Sequence, residues 1–286
     1  NAEKGWVSFV NLNYMKDERQ AGQIGYNPQT DKGTTNAWGS EVNSERFTLS
    51  NKIGYVFPNT TYKSIGLQNS FQSHRQDSYF GLNSYDIHQK SWYGNLIYNS
   101  IIGNTQHKFA TGLSGTYDDY NEQLTTSALA GDFSRIDRSV GAFFEYTYDN
   151  SSNFSFVAGI RADSHNNLGN FITPRFHLRY NPWKEATFRL SAGRGKRAAN
   201  VIAENQQLLA SSRQLHIIGG DGGKLYGLNP EIAWNYGASF LQAFKIWGKN
   251  AELSVDLYRT HFDNQVVVDL DHSPQQALFY NLDGKS

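Results

Sequence analysis

Eleven segments of the chain alternate apolar with polar residues, so that every second side chain is apolar. In one of them, Phe176 and Leu178 alternate with Arg175 and Arg179. A two-residue period places neighbouring side chains on opposite faces of an extended chain, so each segment has one apolar and one polar face. The pattern therefore predicts eleven amphipathic β-strands and an all-β fold.

The connections between the predicted strands alternate between short turns and long polar loops. The short turns contain residues that favour tight turns: Pro58, Gly103, Asn150, Pro182 and Gly248. The long loops cover residues 17–43, 75–88, 118–134, 195–230 and 262–276. Because alternate connections of an antiparallel meander lie at the same end, the short turns gather at one end and the long loops at the other. This asymmetry is typical of periplasmic turns and extracellular loops, and it predicts an antiparallel up-and-down transmembrane β-barrel.

Composition agrees with a barrel and narrows the classes of partner. Aromatic residues make up 14% of the chain, although all hydrophobic residues together reach only 38%. Aromatic side chains crowd the strand ends nearest the short turns, as in the girdle of a membrane boundary: Tyr55, Phe57, Tyr98, Tyr146, Tyr148, Tyr180, Trp183, Phe244 and Trp247. The formal net charge is zero, so we expect no nucleic-acid partner. The predicted transmembrane barrel implies outer-membrane lipid as a partner.

The start of the chain suggests an excised piece of a longer protein. The sequence begins with Asn1 and Ala2 rather than Met, and its one methionine is Met15. We interpret residues 1–2 as a cloning remnant and residues 3–286 as part of a barrel domain.

The polar faces of four successive predicted strands carry charged side chains that would project the same way. These are Glu145, Arg161, Arg175, Arg179 and Arg189. An interior that holds guanidinium groups and a carboxylate must be wet or paired, because an isolated buried charge is too costly. Two interpretations stay open here. The face could line an aqueous channel, or it could hydrogen-bond a folded plug through the planar donors of arginine.

Candidate ligand-binding residues lie in the predicted long loops. Tyr79, Tyr85 and Tyr120 could stack on a ligand, and the acidic neighbours of Tyr120 would offer hydroxyl or cation contacts. Asn205 belongs to residues 198–209, which are the one segment with a helical pattern. We predict these four residues as ligand contacts.

The sequence contains no nucleophile elbow, phosphate loop or paired metal-ligand signature. Six of its 8 histidines are spread over six connections without ligand spacing, and cysteine is absent. We therefore expect no enzyme activity, no catalytic residue, no metal site and no cofactor.

Three motifs follow one another in a characteristic order. A Pro-Arg strand at residues 173–182 is followed by a strand ending in Gly-Arg-Gly at residues 188–197, and then by Gly-Leu-Asn-Pro-Glu at residues 227–231. The order resembles the mid-barrel strands of TonB-dependent outer-membrane receptors, particularly those of Bacteroidetes-type bacteria. The resemblance implies about half of a plugged barrel of roughly 22 strands. It also implies a missing N-terminal plug through which the TonB energy-coupling complex acts.

The resemblance further implies a function in the bacterial outer membrane. The chain would form the barrel portion of a receptor for active uptake of a scarce, bulky small-molecule nutrient: a siderophore, haem, cobalamin or a glycan. Two alternatives remain at this stage. A passive outer-membrane porin would be a self-sufficient pore, whereas a soluble β-rich ligand-binding protein would bury the apolar faces as a core.

Overall fold

The computed structural model describes residues 5–219 and 225–283, and nearly all of its regular structure is β-strand. The first seven strands are β1 (Trp6–Gly22), β2 (Gly39–Val56), β3 (Ser64–Phe80), β4 (Asn83–Ile102), β5 (Asn104–Thr125), β6 (Ala130–Asp132) and β7 (Arg135–Asp149). The next seven are β8 (Phe154–His165), β9 (Gly169–Tyr180), β10 (Ala186–Arg197), β11 (Gln214–Ile217), β12 (Glu231–Ile246), β13 (Lys249–Asp269) and β14 (Gln276–Asp283). A short helix, α1 (Pro28–Asp31), and a 3-10 helix (Ala203–Ala210) lie in connections.

The strands form one sheet in which neighbours in the chain are antiparallel neighbours in space. The exceptions are short strands: β6 pairs only with β5, and β11 runs parallel to β14. The eleven predicted strands correspond to β1–β5, β7–β10, β12 and β13, which confirms the all-β prediction. The sequence pattern missed β6 and β11 because they are short and lie within long connections. It also missed β14, which follows the last predicted loop.

Cross-strand pairing places the apolar residues of neighbouring strands on the same face of the sheet. Ile53 pairs with Leu67, Leu67 with Leu96, Leu96 with Leu113, and Leu113 with Ala142. Leu113 is nevertheless 57% exposed, and large hydrophobic side chains are exposed along the whole face. Because the described residues provide no second layer over this face, the structure argues against a soluble sandwich. It instead has the surface that a hydrocarbon environment requires.

The sheet curls, and its polar face is concave. Residues 198–217 reach from β3 and β4 to β14, which lie far apart in the strand order. Gln76 donates to Gln206 at 3.0 Å, Asn83 donates to the Leu209 carbonyl at 2.8 Å, and β11 pairs with β14. A segment this short can contact both regions only if the sheet bends around it. Most of the fully buried hydrophobic residues lie in this loop-end core: Tyr85, Leu124, Val201, Ile202, Leu209, Leu215, Ala277 and Phe279.

The structure corrects the bounds of the predicted loops. Residues 75–88 are not a loop, because β3 and β4 stay paired out to Phe80 and Asn83 around the two residues Gly81 and Leu82. Likewise β5 continues to Thr125 and β13 to Asp269. Backbone pairing needs no apolar side chains, so a ladder extends beyond the point where alternation of hydrophobicity ends. Sequence alternation therefore marks the amphipathic part of each strand and not its full length.

Two further sequence predictions concern a helix in the longest connection and the start of the chain. The helical segment predicted at residues 198–209 is replaced by the 3-10 helix from Ala203 to Ala210. Asn1 and Ala2, interpreted as a cloning remnant, lie outside the described residues. Across the described part of the chain, no helix is both long and apolar enough to cross a bilayer.

The sheet is open, which agrees with an incomplete barrel. Within residues 5–219 and 225–283, β1 pairs only with β2, and β11 pairs only with β14. Closed barrels have no such edges. The prediction of a partial antiparallel barrel is therefore confirmed.

The two faces of β3 predict different responses to the same charge. Leu67→Arg would place a guanidinium in the middle of the apolar face, whereas Gln68→Arg would place it on the concave face. We expect Leu67→Arg to lower the free energy of unfolding in lipid vesicles by about 2–4 kcal/mol. Gln68→Arg should change it by less than about 1 kcal/mol. Tryptophan fluorescence during denaturant titration measures both, and equal losses would contradict a lipid-facing apolar face.

Candidate functional site

The concave face gathers the polar residues that the sequence analysis singled out. Glu145 pairs with Gly159, which pairs with Arg175, and Arg179 pairs with Arg189. Arg161 pairs with Thr173 two positions before Arg175. Cross-strand partners share a face, so the register places all five predicted residues on the concave side. They extend from the middle of the sheet toward the end with the short turns.

Two of these arginines are neutralised by the wall itself. Arg161 donates to both carboxylate oxygens of Asp163, at 2.7 and 2.5 Å, and to the Ser114 hydroxyl at 2.6 Å. Arg175 forms an ion pair with Glu145, two strands away. These interactions fix the guanidinium groups against the wall, because bidentate and charge-assisted hydrogen bonds are strongly directional.

A glycine makes the second ion pair possible. Arg175 lies on β9 and Glu145 on β7, so the arginine side chain has to cross β8. The residue of β8 between them is Gly159. A Cβ atom built on Gly159 would lie 2.9 Å from Nε of Arg175 and 3.0 Å from its Cγ, which is too close. The absence of a side chain at residue 159 therefore lets Arg175 lie flat along the wall.

The other two arginines have no carboxylate partner among the described residues. Arg179 and Arg189 are direct cross-strand neighbours, and Nε of Arg179 donates to the Asn181 amide oxygen at 3.4 Å. Asp149 lines a depression beside Arg179 but forms no ion pair with it. With His177 and Tyr258 they line a depression of about 270 Å³ near the short turns. Like charges directly opposite each other are unfavourable, so this arginine pair is suited to an anionic partner.

A second polar cluster lies at the loop end and is buried. The Glu122 side chain is fully buried and accepts hydrogen bonds from Tyr85 at 2.9 Å, Tyr226 at 2.6 Å and Arg135 at 2.9 Å. Burial and the adjacent Glu122 carboxylate raise the pKa of the Tyr226 hydroxyl above its ordinary value. The Tyr226 hydroxyl therefore remains a hydrogen-bond donor throughout the physiological pH range.

Arg135 joins this cluster to the long connection between β10 and β12. Its guanidinium forms ion pairs with Glu122 and Asp137, donates to the Asn200 side chain, and lies 4.0 Å from the centre of the Tyr120 ring. We call Tyr85, Tyr120, Glu122, Arg135, Asp137, Asn200 and Tyr226 the loop-end network. The sequence analysis missed Glu122 and Arg135 because both fell in or beside a predicted loop. The signal was present as a change of face, because Tyr120 and Leu124, with Glu122 between them, lie on the face opposite to Leu113 and Tyr117.

The predicted ligand contacts do not converge on one site. Tyr85 is fully buried and Tyr120 lies beneath Arg135, so both serve the loop-end network. Tyr79 lies on the opposite, convex side of the sheet, where it shares a 2.5 Å hydrogen bond with Tyr26. Asn205 is partly buried, and its side chain donates to the Val201 carbonyl at 2.8 Å. A binding role for these four residues stays a prediction, and in this conformation Tyr85 has no surface to offer a ligand.

The described residues contain no group of three or more His, Asp or Glu side chains arranged to hold a metal ion. The charged and hydrogen-bonding side chains of the concave face are suited to recognition of a polar partner. Its strongest candidate for an external contact is the arginine pair near the short turns.

Comparison with known proteins identifies a family over nearly the whole chain. A sequence model of the family described as "TonB dependent receptor-like, beta-barrel" matches residues 3–286. No curated protein sequence matches the chain.

Solved structures share the fold. The hemophore receptor HasR of Serratia marcescens, solved as a double mutant with its hemophore HasA and heme, gives a TM-score of 0.63 at 11% identity, covering 98% of this chain and 48% of HasR. The alcaligin outer membrane receptor FauA of Bordetella pertussis gives 0.62 at 15% identity, covering 97% and 45%. The siderophore receptor PirA of Pseudomonas aeruginosa gives 0.56 at 13%, covering 87% and 46%. The chain spans slightly less than half of each receptor.

The loop-end network predicts a strong effect of removing its carboxylate. Glu122→Ala would leave Arg135 and two tyrosine hydroxyls without their buried acceptor, and we expect a loss of about 3–5 kcal/mol of local stability. Hydrogen exchange of residues 198–217 should accelerate accordingly. The exposed Glu45, which has no ion pair within the described residues, provides the control. Glu45→Ala should leave exchange nearly unchanged, and equal effects of the two substitutions would refute a network that holds this segment.

Proposed function

The chain belongs to the TonB-dependent receptor-like β-barrel family, and we propose that it forms about half of the barrel of an active nutrient importer. Barrels of this family lie in the bacterial outer membrane. The observation that carries the proposal is the division of one curved sheet into an exposed apolar convex face and a charged concave face. A membrane barrel that encloses a polar lumen requires this arrangement.

The family match gives no support to a passive porin. The family description names a receptor-like barrel rather than an enzyme, and we propose that the chain has no catalytic activity. The resemblance to Bacteroidetes-type receptors stays a prediction, because the structural neighbours come from other bacteria.

We propose that the missing half of the receptor includes a plug that contacts the concave face. Arg161 and Arg175 already have carboxylate partners in the wall, whereas Arg179 and Arg189 do not. An acidic side chain of a plug would relieve the repulsion between the two unpaired guanidinium groups and accept hydrogen bonds from both. Because both arginines lie near the short turns, we propose that this contact forms at the periplasmic end, where the TonB complex would pull on the plug.

The substrate is proposed from the kind of receptor that shares the fold. The neighbours named above are an alcaligin receptor, a siderophore receptor and a hemophore receptor. We propose a bulky nutrient of the same kind, a siderophore or haem, with cobalamin and glycans as the alternatives. Growth of a deletion strain on each nutrient as the limiting source tests this assignment.

The arginine pair provides the mutational test of the plug contact. In the intact receptor, Arg179→Gln together with Arg189→Gln should loosen the plug, because the proposed anionic contact loses both donors. We expect an increase in ion conductance across planar bilayers and a loss of nutrient uptake of at least about tenfold, which corresponds to about 1.4 kcal/mol.

The matched control removes the same charge from the opposite face of neighbouring strands. Arg194 and Arg259 pair with residues of the convex face, and their double substitution by Gln should leave conductance and uptake unchanged. Unchanged conductance in the Arg179/Arg189 double variant would remove the plug contact from the proposal.

A further inference from the structure

A histidine side chain closes the turn between β8 and β9. His165 is the last residue of β8, and the turn consists of residues 166–168. The register with Ser139 places the imidazole on the concave face. Its Nδ1 accepts hydrogen bonds from the backbone N–H groups of Asn167 at 3.1 Å and of Leu168 at 3.2 Å. The turn is therefore built around one ring nitrogen.

Both hydrogen bonds require that Nδ1 of His165 carries no proton. A neutral imidazole accepts through one ring nitrogen and donates through the other, so its proton lies on Nε2 here. An imidazolium has two donors and no acceptor. After protonation, the two backbone N–H groups would face a third N–H group, and both bonds would be lost. The closed turn is thus compatible only with the neutral histidine.

The same turn is tied to the strands on either side. The Asn167 side chain donates to the Asp137 carboxylate of β7 at 2.6 Å. Lys196 of β10 donates to the Leu168 carbonyl at 2.7 Å. Asp137 also forms an ion pair with Arg135 of the loop-end network. The turn is therefore the last link in a series of contacts that runs along the loop-end rim from β7 to β10.

Charged groups from four strands act on the imidazole: Asp118 of β5, Asp137 of β7, Asp163 of β8 and Lys196 of β10. Burial lowers the pKa of His165 below its ordinary value, although the three carboxylates act in the opposite direction. The group lies beyond the apolar part of the convex face, because its chain neighbours Ser164 and Asn166 are polar and exposed there. His165 is therefore neutral at neutral pH and gains its charge in acid.

We propose that His165 is an acid-sensitive latch, whose protonation releases the turn at residues 166–168 and opens the rim between β7 and β10. The closed turn binds fewer protons than the released one. Its stabilisation by His165 is therefore complete above about pH 6.5, the ordinary pKa of histidine, and declines as the pH falls below that value. The latch is independent of the nutrient imported.

Hydrogen exchange of the intact receptor at about pH 7.5 and at about pH 4.5 tests the latch. Each rate is divided by that of an unstructured chain at the same pH, because amide exchange itself depends on pH. We expect the protection of the Asn167 and Leu168 amides to fall at least about tenfold on acidification, since two hydrogen bonds are lost. Return to the higher pH should restore it.

Three variants separate the histidine from its surroundings. His165→Asn keeps an acceptor, the amide oxygen, that does not titrate, and all the carboxylates remain. It should therefore keep the turn protected at both pH values. His165→Ala removes the acceptor and should lower the protection at both. The control His272→Asn replaces an exposed histidine of the connection between β13 and β14 and should leave the pH dependence unchanged.

Four results would overturn the latch. They are equal protection of the unmodified turn at the two pH values, a pH dependence that persists in His165→Asn, unchanged protection in His165→Ala at the higher pH, and loss of the pH dependence in His272→Asn.

Discussion

The register of cross-strand hydrogen bonding is the constraint on which this structure depends. A shift of one residue in any strand would exchange its apolar and polar faces, because side chains alternate with a period of two. Pairing is continuous from Trp6 with Tyr55 in β1 and β2 through the successive strands, and the two recorded shifts, near Ile102 and Ile232, lie near strand ends. The apolar row that includes Leu67 and Leu113 therefore stays on one face of the sheet. A single ladder thus creates both the membrane surface and the lumen surface.

The same register sorts the charges of the lumen surface into two kinds. Residues two apart on one strand, such as Arg161 and Asp163, meet on one face and neutralise each other. Arg175 and Glu145 meet across a strand only because Gly159 lies between them. Arg179 and Arg189 have neither arrangement, so no carboxylate of the described residues forms an ion pair with them on the concave face. The paired and unpaired arginines differ only in their neighbours, and the role proposed for the unpaired two depends on that difference.

Much of the fold could be predicted from the sequence, and less of the site. Alternation identified eleven strands because the membrane imposes a different solvent on each strand face. It could not identify the ends of β3 and β4, where apolar residues such as Phe80, Tyr85 and Ile87 lie on the concave face instead of the convex one. It also could not identify the short strand β11, which pairs with β14. The shared face of the five charged residues followed from spacing alone. The buried position of Tyr85 and the convex position of Tyr79 did not, because each depends on contacts with distant connections.

The loop-end core determines where a ligand could first touch the chain. Residues 198–217 fill the concave side between β4 and β14, and the loop-end network attaches them to β5 and β7. A segment held by a buried ion pair and a continuous apolar core opens only at considerable free-energy cost, so it behaves as part of the wall. Tyr85 and Tyr120, two of the predicted ligand contacts, belong to the network that holds this segment. On the outer side of the 3-10 helix, Glu204 and Gln207 are exposed, and Glu204 forms an ion pair with Arg197. Because exposed polar positions in a connection have no periodic signal, substrate contacts are the part of such a receptor that alternation patterns reveal least.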